Sequence, residues 1–204
     1  MNSNKPYKFF LLVGAVTGWL AVVLQFVLII VNRKADIPET IIRFFSFFTI
    51  LTNIIVSVCY TSLLLRPGRF LSRPGVITAV AVYITVVGLV YNVILRYIWD
   101  PQGLQFIVDE LLHTFNPVWF ILFWFIYKSK TNIKWKDVIL FLIYPLVYIL
   151  YVFARGAISG FYPYPFINVS ELGYETAILN AFYITLIFIF FSLVFIGIGK
   201  IRSR

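Results

Sequence analysis

Asp109, His113 and Asn116 are the residues of this chain best suited to chemistry. His113 is the only histidine, and it sits in an otherwise apolar stretch. The spacing i, i+4, i+7 puts the three side chains on one face of a helix. An imidazole with a carboxylate one turn away can act as a general base, because the carboxylate can fix its tautomer. A hydroxyl nucleophile would be the natural partner, and Thr49 and Thr52 stand in Phe47-Phe48-Thr49-Ile50-Leu51-Thr52-Asn53. Thr49 shares a stripe with Ser46, Asn53 and Ser57, whereas Thr52 points away from its centre. The duller reading is also open: a buried histidine can serve only as a hydrogen-bonding link between helices. A threonine in a membrane helix usually bonds back to the carbonyl four residues earlier.

Other polar groups recur at helical spacing. Thr85, Gly88, Asn92 and Arg96 form a second stripe, and Asn180 lies near the start of the last apolar segment. Asn53, Asn92 and Asn180 are candidates for steadying an oxyanion, or for interhelical hydrogen bonds. Arg96 and Arg155 stand at segment ends, where they either hold an anionic head group or snorkel to the membrane surface.

These residues have to be positioned by membrane helices. The chain has 204 residues, 61% hydrophobic and 12% charged, with mean hydropathy +0.94. That composition excludes an ordinary soluble domain. Six segments are long and apolar enough to cross a bilayer: 9–31, 41–65, 76–98, 104–127, 137–155 and 176–199. Short connections marked by Asp36-Ile37-Pro38, Arg66-Pro67-Gly68, Arg73-Pro74-Gly75 and Asp100-Pro101-Gln102-Gly103 predict antiparallel neighbours. The expected fold is therefore all-α, one domain over 1–204, a polytopic bundle of six transmembrane helices. The first apolar run is too long for a cleavable signal peptide.

Charge sets the expected orientation. Twelve of the seventeen Lys and Arg fall on one side: Lys5, Lys8, Arg66, Arg69, Arg73, Lys128, Lys130, Lys134, Lys136, Lys200, Arg202 and Arg204. The other side carries Arg33, Lys34, Arg43, Arg96 and Arg155 among most of the acidic residues. The positive-inside rule then puts both termini in the cytoplasm of a cell-membrane protein. The net charge of +9 is read as topology signal and anionic-lipid contact, and no nucleic-acid partner is expected. One cysteine, Cys59, and one histidine exclude an internal disulfide and cysteine- or multi-histidine zinc sites; a carboxylate-rich metal site stays open, and no metal is expected. The polar stripes reach one depth in the outer half of the bilayer, which implies a polar cavity walled by protein. Proline-stiffened Gly160-Phe161-Tyr162-Pro163-Tyr164-Pro165-Phe166-Ile167-Asn168 is expected to cap it or to join an interfacial aromatic belt.

Three short stretches resemble one known family. They are Phe45-Ser46-Phe47-Phe48-Thr49-Ile50-Leu51-Thr52-Asn53, then Leu112-His113-Thr114 with Pro117, then Tyr164-Pro165-Phe166-Ile167. In order and spacing they are similar to the androgen-induced-gene family of six-helix membrane proteins and its bacterial Pr6Pr-type relatives. The resemblance implies a hydrolase of fatty acid esters of hydroxy fatty acids that needs no cofactor. It matches Thr49 to the family's intramembrane threonine and His113 to its histidine. Asp109, Arg96 and Arg155 come from spacing alone. The competing expectation is a non-catalytic lipid-binding or small-molecule transport protein that uses the same cavity.

Overall fold

The computed structural model describes residues 4–65, 70–127 and 133–202, and among these every regular element is helical. Arg66, Arg69, Lys128, Lys130 and Arg204, and the Arg66-Pro67-Gly68 breaker, lie outside the described residues. Six helical stretches are long and apolar enough to cross a membrane, so this is a multi-pass membrane protein.

The helices are α1 (Asn4–Val31), α2 (Ile37–Phe45), α3 (Phe48–Leu65), α4 (Pro74–Val93), α5 (Leu104–Glu110), α6 (Asn116–Tyr127), α7 (Asp137–Ser159) and α8 (Val169–Ile201). A π-helical turn, Leu111–Phe115, joins α5 to α6 in one continuous span. α3 and α4 are the inner helices, with 56% and 61% of their apolar windows buried, against 22% for α7 and α8. The outer helices leave leucine, isoleucine and phenylalanine exposed, as a lipid-facing surface requires. α1 packs closely on α3 through Gly14-Ala15-Val16-Thr17-Gly18. Gly14 lies against the Tyr60 ring and Gly18 against Ser57 Oγ, so any added Cβ would collide there.

The expected segment 41–65 is corrected to two helices. Asp36 caps the start of α2 by accepting from the Glu39 amide, with Pro38 in the first turn. The helix stops at Ser46, whose amide donates to Arg43 O. Tyr148 on α7 bridges the break: its hydroxyl donates to Ser46 O and accepts from the Phe48 amide. Two of the groups that a helix break orphans thereby gain partners. α2 is then too short to span, and α3 begins inside the bundle.

Six crossings bring α1 and α8 to the same end. Tyr7 contacts Tyr127 there, and Arg202 Nη1 donates to Phe125 O. That is the terminal end. The opposite, site end carries the turns before α2, after α4 and between α7 and α8. At the site end Glu39 pairs with both Arg43 and Arg155, each at 2.8 Å. Hydrogen bonding from Arg43, helped by Arg155, holds its carboxyl below the usual carboxylate value.

Candidate active site

Thr49 lies in the first turn of α3, just after the break, and this frees its hydroxyl. Thr17, Thr40, Ser46, Ser57, Thr61, Thr78, Thr85, Thr185 and Ser192 all donate to the carbonyl four residues back. The corresponding carbonyl for Thr49 is Phe45 O, which lies on the far side of the break. Among the described hydrogen bonds Thr49 Oγ1 instead meets His113 Nε2 at 3.3 Å and the Tyr164 hydroxyl at 3.4 Å. Thr52, the alternative, is fully buried and pairs with the Tyr144 hydroxyl at 3.2 Å.

The tautomer of His113 follows from its other nitrogen. Nδ1 lies 2.9 Å from the backbone carbonyl of Asp109. A carbonyl oxygen can only accept, so Nδ1 carries the hydrogen and Nε2 keeps its lone pair. Thr49 therefore donates its O–H to Nε2. The Tyr164 hydroxyl is also placed: it accepts from the Thr49 N–H at 3.2 Å. With that lone pair used, the Tyr164 O–H is free to donate to Thr49 Oγ1. A directed chain results, from Tyr164 through Thr49 to His113 and on to the Asp109 carbonyl. Burial raises the Tyr164 phenol above its ordinary value, which keeps it a donor. The His113 ring is held by stacking on Tyr91, centroids 3.9 Å apart and 9° from parallel.

The expectation for Asp109 is corrected in its atoms. Its carbonyl orients the imidazole. Its carboxylate accepts from Trp99 Nε1 at 2.6 Å and from Gln105 Nε2 at 3.1 Å. Gln105 also donates to Gln25 Oε1 on α1.

The π turn explains the asparagines. At position 116 the amide donates to Leu111 O, five residues back. Pro117 has no N–H, so it can serve neither Leu112 O at π spacing nor His113 O at α spacing. Asn53 Nδ2 donates to Leu112 O at 3.2 Å, and Asn92 Nδ2 donates to His113 O at 3.2 Å. Each amide spends its second hydrogen on its own helix, at Thr49 O and Gly88 O. Asn116 Nδ2 completes the set by donating to Asn53 Oδ1. Gly88 permits the approach, since a Cβ there would press on His113 O and Pro117 at 3.1 Å. Asn53 and Asn92 thus position the histidine turn and have no hydrogen left for an oxyanion. Asn180 donates to Phe166 O, bracing the loop that carries Tyr164.

Arg96 and Arg155 are also committed elsewhere. Arg96 contacts Glu110, Thr114 and Asn92 Oδ1, and Arg155 contacts Glu39 and Ser159. Neither lines the cavity described next.

A cavity of about 520 Å³ reaches both Thr49 and His113. Its walls come from α1, α2, α3, α4 and the turn after it, α5, the π turn and the Pro163-Tyr164-Pro165 loop. That size lies within the range of small-molecule sites. A narrower void of about 70 Å³ runs on between Val86, Val87, Val90, Phe188 and Ile184, and its lining is almost wholly apolar. Thr49, Leu95 and Tyr164 belong to both walls. The hydroxyl therefore stands where a larger chamber, mostly apolar but with polar groups along one part of its wall, meets a hydrocarbon slot.

Spacing alone missed Tyr164, Tyr91, Trp99, Gln105 and Gln25. Gln105 had a signal, because Gln105, Asp109 and His113 repeat at i, i+4, i+8. Among the described residues no group of three or more His, Cys, Asp or Glu forms a metal site. Comparison with family models, with curated proteins and with solved structures found no match.

Proposed function

We propose that the protein is an integral membrane lipid-ester hydrolase with Thr49 as nucleophile and His113 as general base. One observation carries this reading: a threonine released from helix back-bonding donates to an imidazole nitrogen whose tautomer is fixed, inside a cavity. Thr49 Oγ attacks the ester carbonyl and its proton passes to His113 Nε2. His113 then protonates the departing alkoxide, and the acyl group stays on Thr49. Water, deprotonated by the same nitrogen, releases the fatty acid and restores the threonine. The Tyr164 hydroxyl, already beside Thr49 Oγ1, is the donor best placed for the tetrahedral oxyanion. The apolar slot takes the acyl chain. No step calls for a metal or cofactor.

The resemblance to the androgen-induced-gene family supports the same pair of residues and suggests fatty acid esters of hydroxy fatty acids, or similar lipid esters, as the substrate class. The excess of Lys and Arg at the terminal end supports a cell-membrane location with both termini cytoplasmic.

The test is turnover of a panel of long-chain esters by purified protein. Thr49→Ala and His113→Ala should each lose at least about 100-fold in kcat/KM, while Thr52→Ala stays within about threefold. Equal turnover by all of these would remove the hydrolase and leave a lipid-binding or transport cavity.

A further inference from the structure

The wall of the main cavity has an unequal supply of hydrogen-bonding groups. Gln105 has given one hydrogen to Gln25 Oε1 and the other to Asp109 Oδ1. Its own Oε1 remains as an acceptor. Asp109 accepts one bond at each oxygen and has lone pairs to spare. Asn32 donates to Leu28 O and keeps its oxygen. Against these acceptors the polar wall offers only uncharged donors: the Gln25 amide, the second hydrogen of the Asn32 amide and the Tyr91 hydroxyl. No lysine or arginine lines the cavity among the described residues. The nearby arginines are paired away from it: Arg96 with Glu110, while Arg43 and Arg155 share Glu39.

An acceptor-rich chamber with a buried carboxylate suits a ligand that brings O–H donors and repels one that brings a second anion. We propose that the polar part of the ligand held here is a neutral hydroxyl-bearing alcohol of the glycerol kind, and that the substrate is a neutral glyceryl ester. Its hydroxyls would donate to Asp109, Gln105 and Asn32, and its acyl chain would enter the slot beyond Thr49. The ester bond in this statement rests on the hydrolase reading, whereas the head-group preference rests on the cavity wall alone. It departs from an acid head held by Arg96 or Arg155, because neither arginine reaches the cavity.

The test is binding, so that it does not depend on turnover. Full-length protein in nanodiscs of neutral lipid is titrated with 1-O-oleylglycerol, a non-hydrolysable ether, and with oleate at a pH where oleate is ionised. Wild type should bind the ether at least tenfold more tightly. Asp109→Asn should bring the two within about threefold of each other by admitting the anion. Gln105→Leu, which keeps Asp109, should weaken the ether alone. Oleate binding as tightly as the ether in wild type overturns the proposal, whatever the variants do. A protein that prefers the ether yet hydrolyses no ester refutes the hydrolase and keeps this inference. One that hydrolyses the free-acid esters faster than glyceryl esters does the reverse.

Discussion

At the site end, α3, α4 and the π turn meet through amide hydrogens. At the terminal end α1, α3 and α8 meet α6 through rings. Phe10 stacks on Trp119 with centroids 3.9 Å apart, Tyr60 lies edge-on to Phe120 and Phe123 at 5.3 Å, and Trp124 meets Phe195 at 4.7 Å. Lipid is as apolar as these rings, so their contribution is close packing rather than transfer from water. Packing tolerates an idle hydroxyl, and among the described residues both buried side-chain atoms without a hydrogen-bond partner, Tyr60 Oη and Ser72 Oγ, belong to this end. The turn that carries His113 has no such slack. Every hydrogen of Asn53 and Asn92 is spent, and each answers a carbonyl that Pro117 leaves without a donor. The contrast teaches where the molecule has invested in one exact placement: around the ring of His113.

The largest effect should come from breaking the richer side. Asn53→Ala leaves Leu112 O and the Asn116 amide buried without partners. It should destabilise the folded protein by about 2–6 kcal/mol, since each such group costs about 1–3 kcal/mol. Unfolding in mixed micelles measures it, and a loss below about 0.5 kcal/mol would mean that the network does not hold the turn. A smaller effect sharpens the cause. If Pro117 creates the need that Asn92 meets, the two changes are coupled. Asn92→Ala should cost about 1 kcal/mol less in a Pro117→Ala background than alone, read from a double-mutant cycle. Strict additivity would separate the proline from the asparagine. The smallest effect belongs to the terminal end. Tyr60→Phe removes a hydroxyl that has no partner, and stability should hold or rise by up to about 1 kcal/mol. A clear loss would show that this end also depends on polar contacts.

The six spans were legible in the sequence because hydropathy needs no knowledge of neighbours. Residues 104–127 fall where the apolar run places them, and the last helix gains length from the polar piece that starts at Val169 and meets the apolar run across a kink at Gly173, where φ is +75°. The break at Ser46 was not legible. No proline or glycine marks it, and it depends on Tyr148, a hundred residues away, to satisfy the freed groups. What separates Thr49 from Thr52 is the partner, His113 for one and Tyr144 for the other, which spacing could only suggest. For His113 and Asp109 the neighbourhood was visible and the contacting atoms were not. The carboxylate turns to Trp99, whose place depends on how the chain folds after α4, and the carbonyl takes the imidazole instead. The asparagines were visible as stripes, but their role follows from a π turn that only the Pro117 amide, by its absence, foreshadows. Arg96 and Arg155 looked free because their partners, Glu110 and Glu39, lie on other helices.

The most direct test of the Thr49–His113 pair is covalent capture. A long-chain fluorophosphonate, in which the nucleophile displaces fluoride from phosphorus, is incubated with purified protein and the adduct is located by peptide mass spectrometry. The adduct is expected on Thr49, lost in His113→Ala and retained in Thr52→Ala. An adduct on Thr52, or no adduct on any threonine while the protein stays folded, would contradict the account.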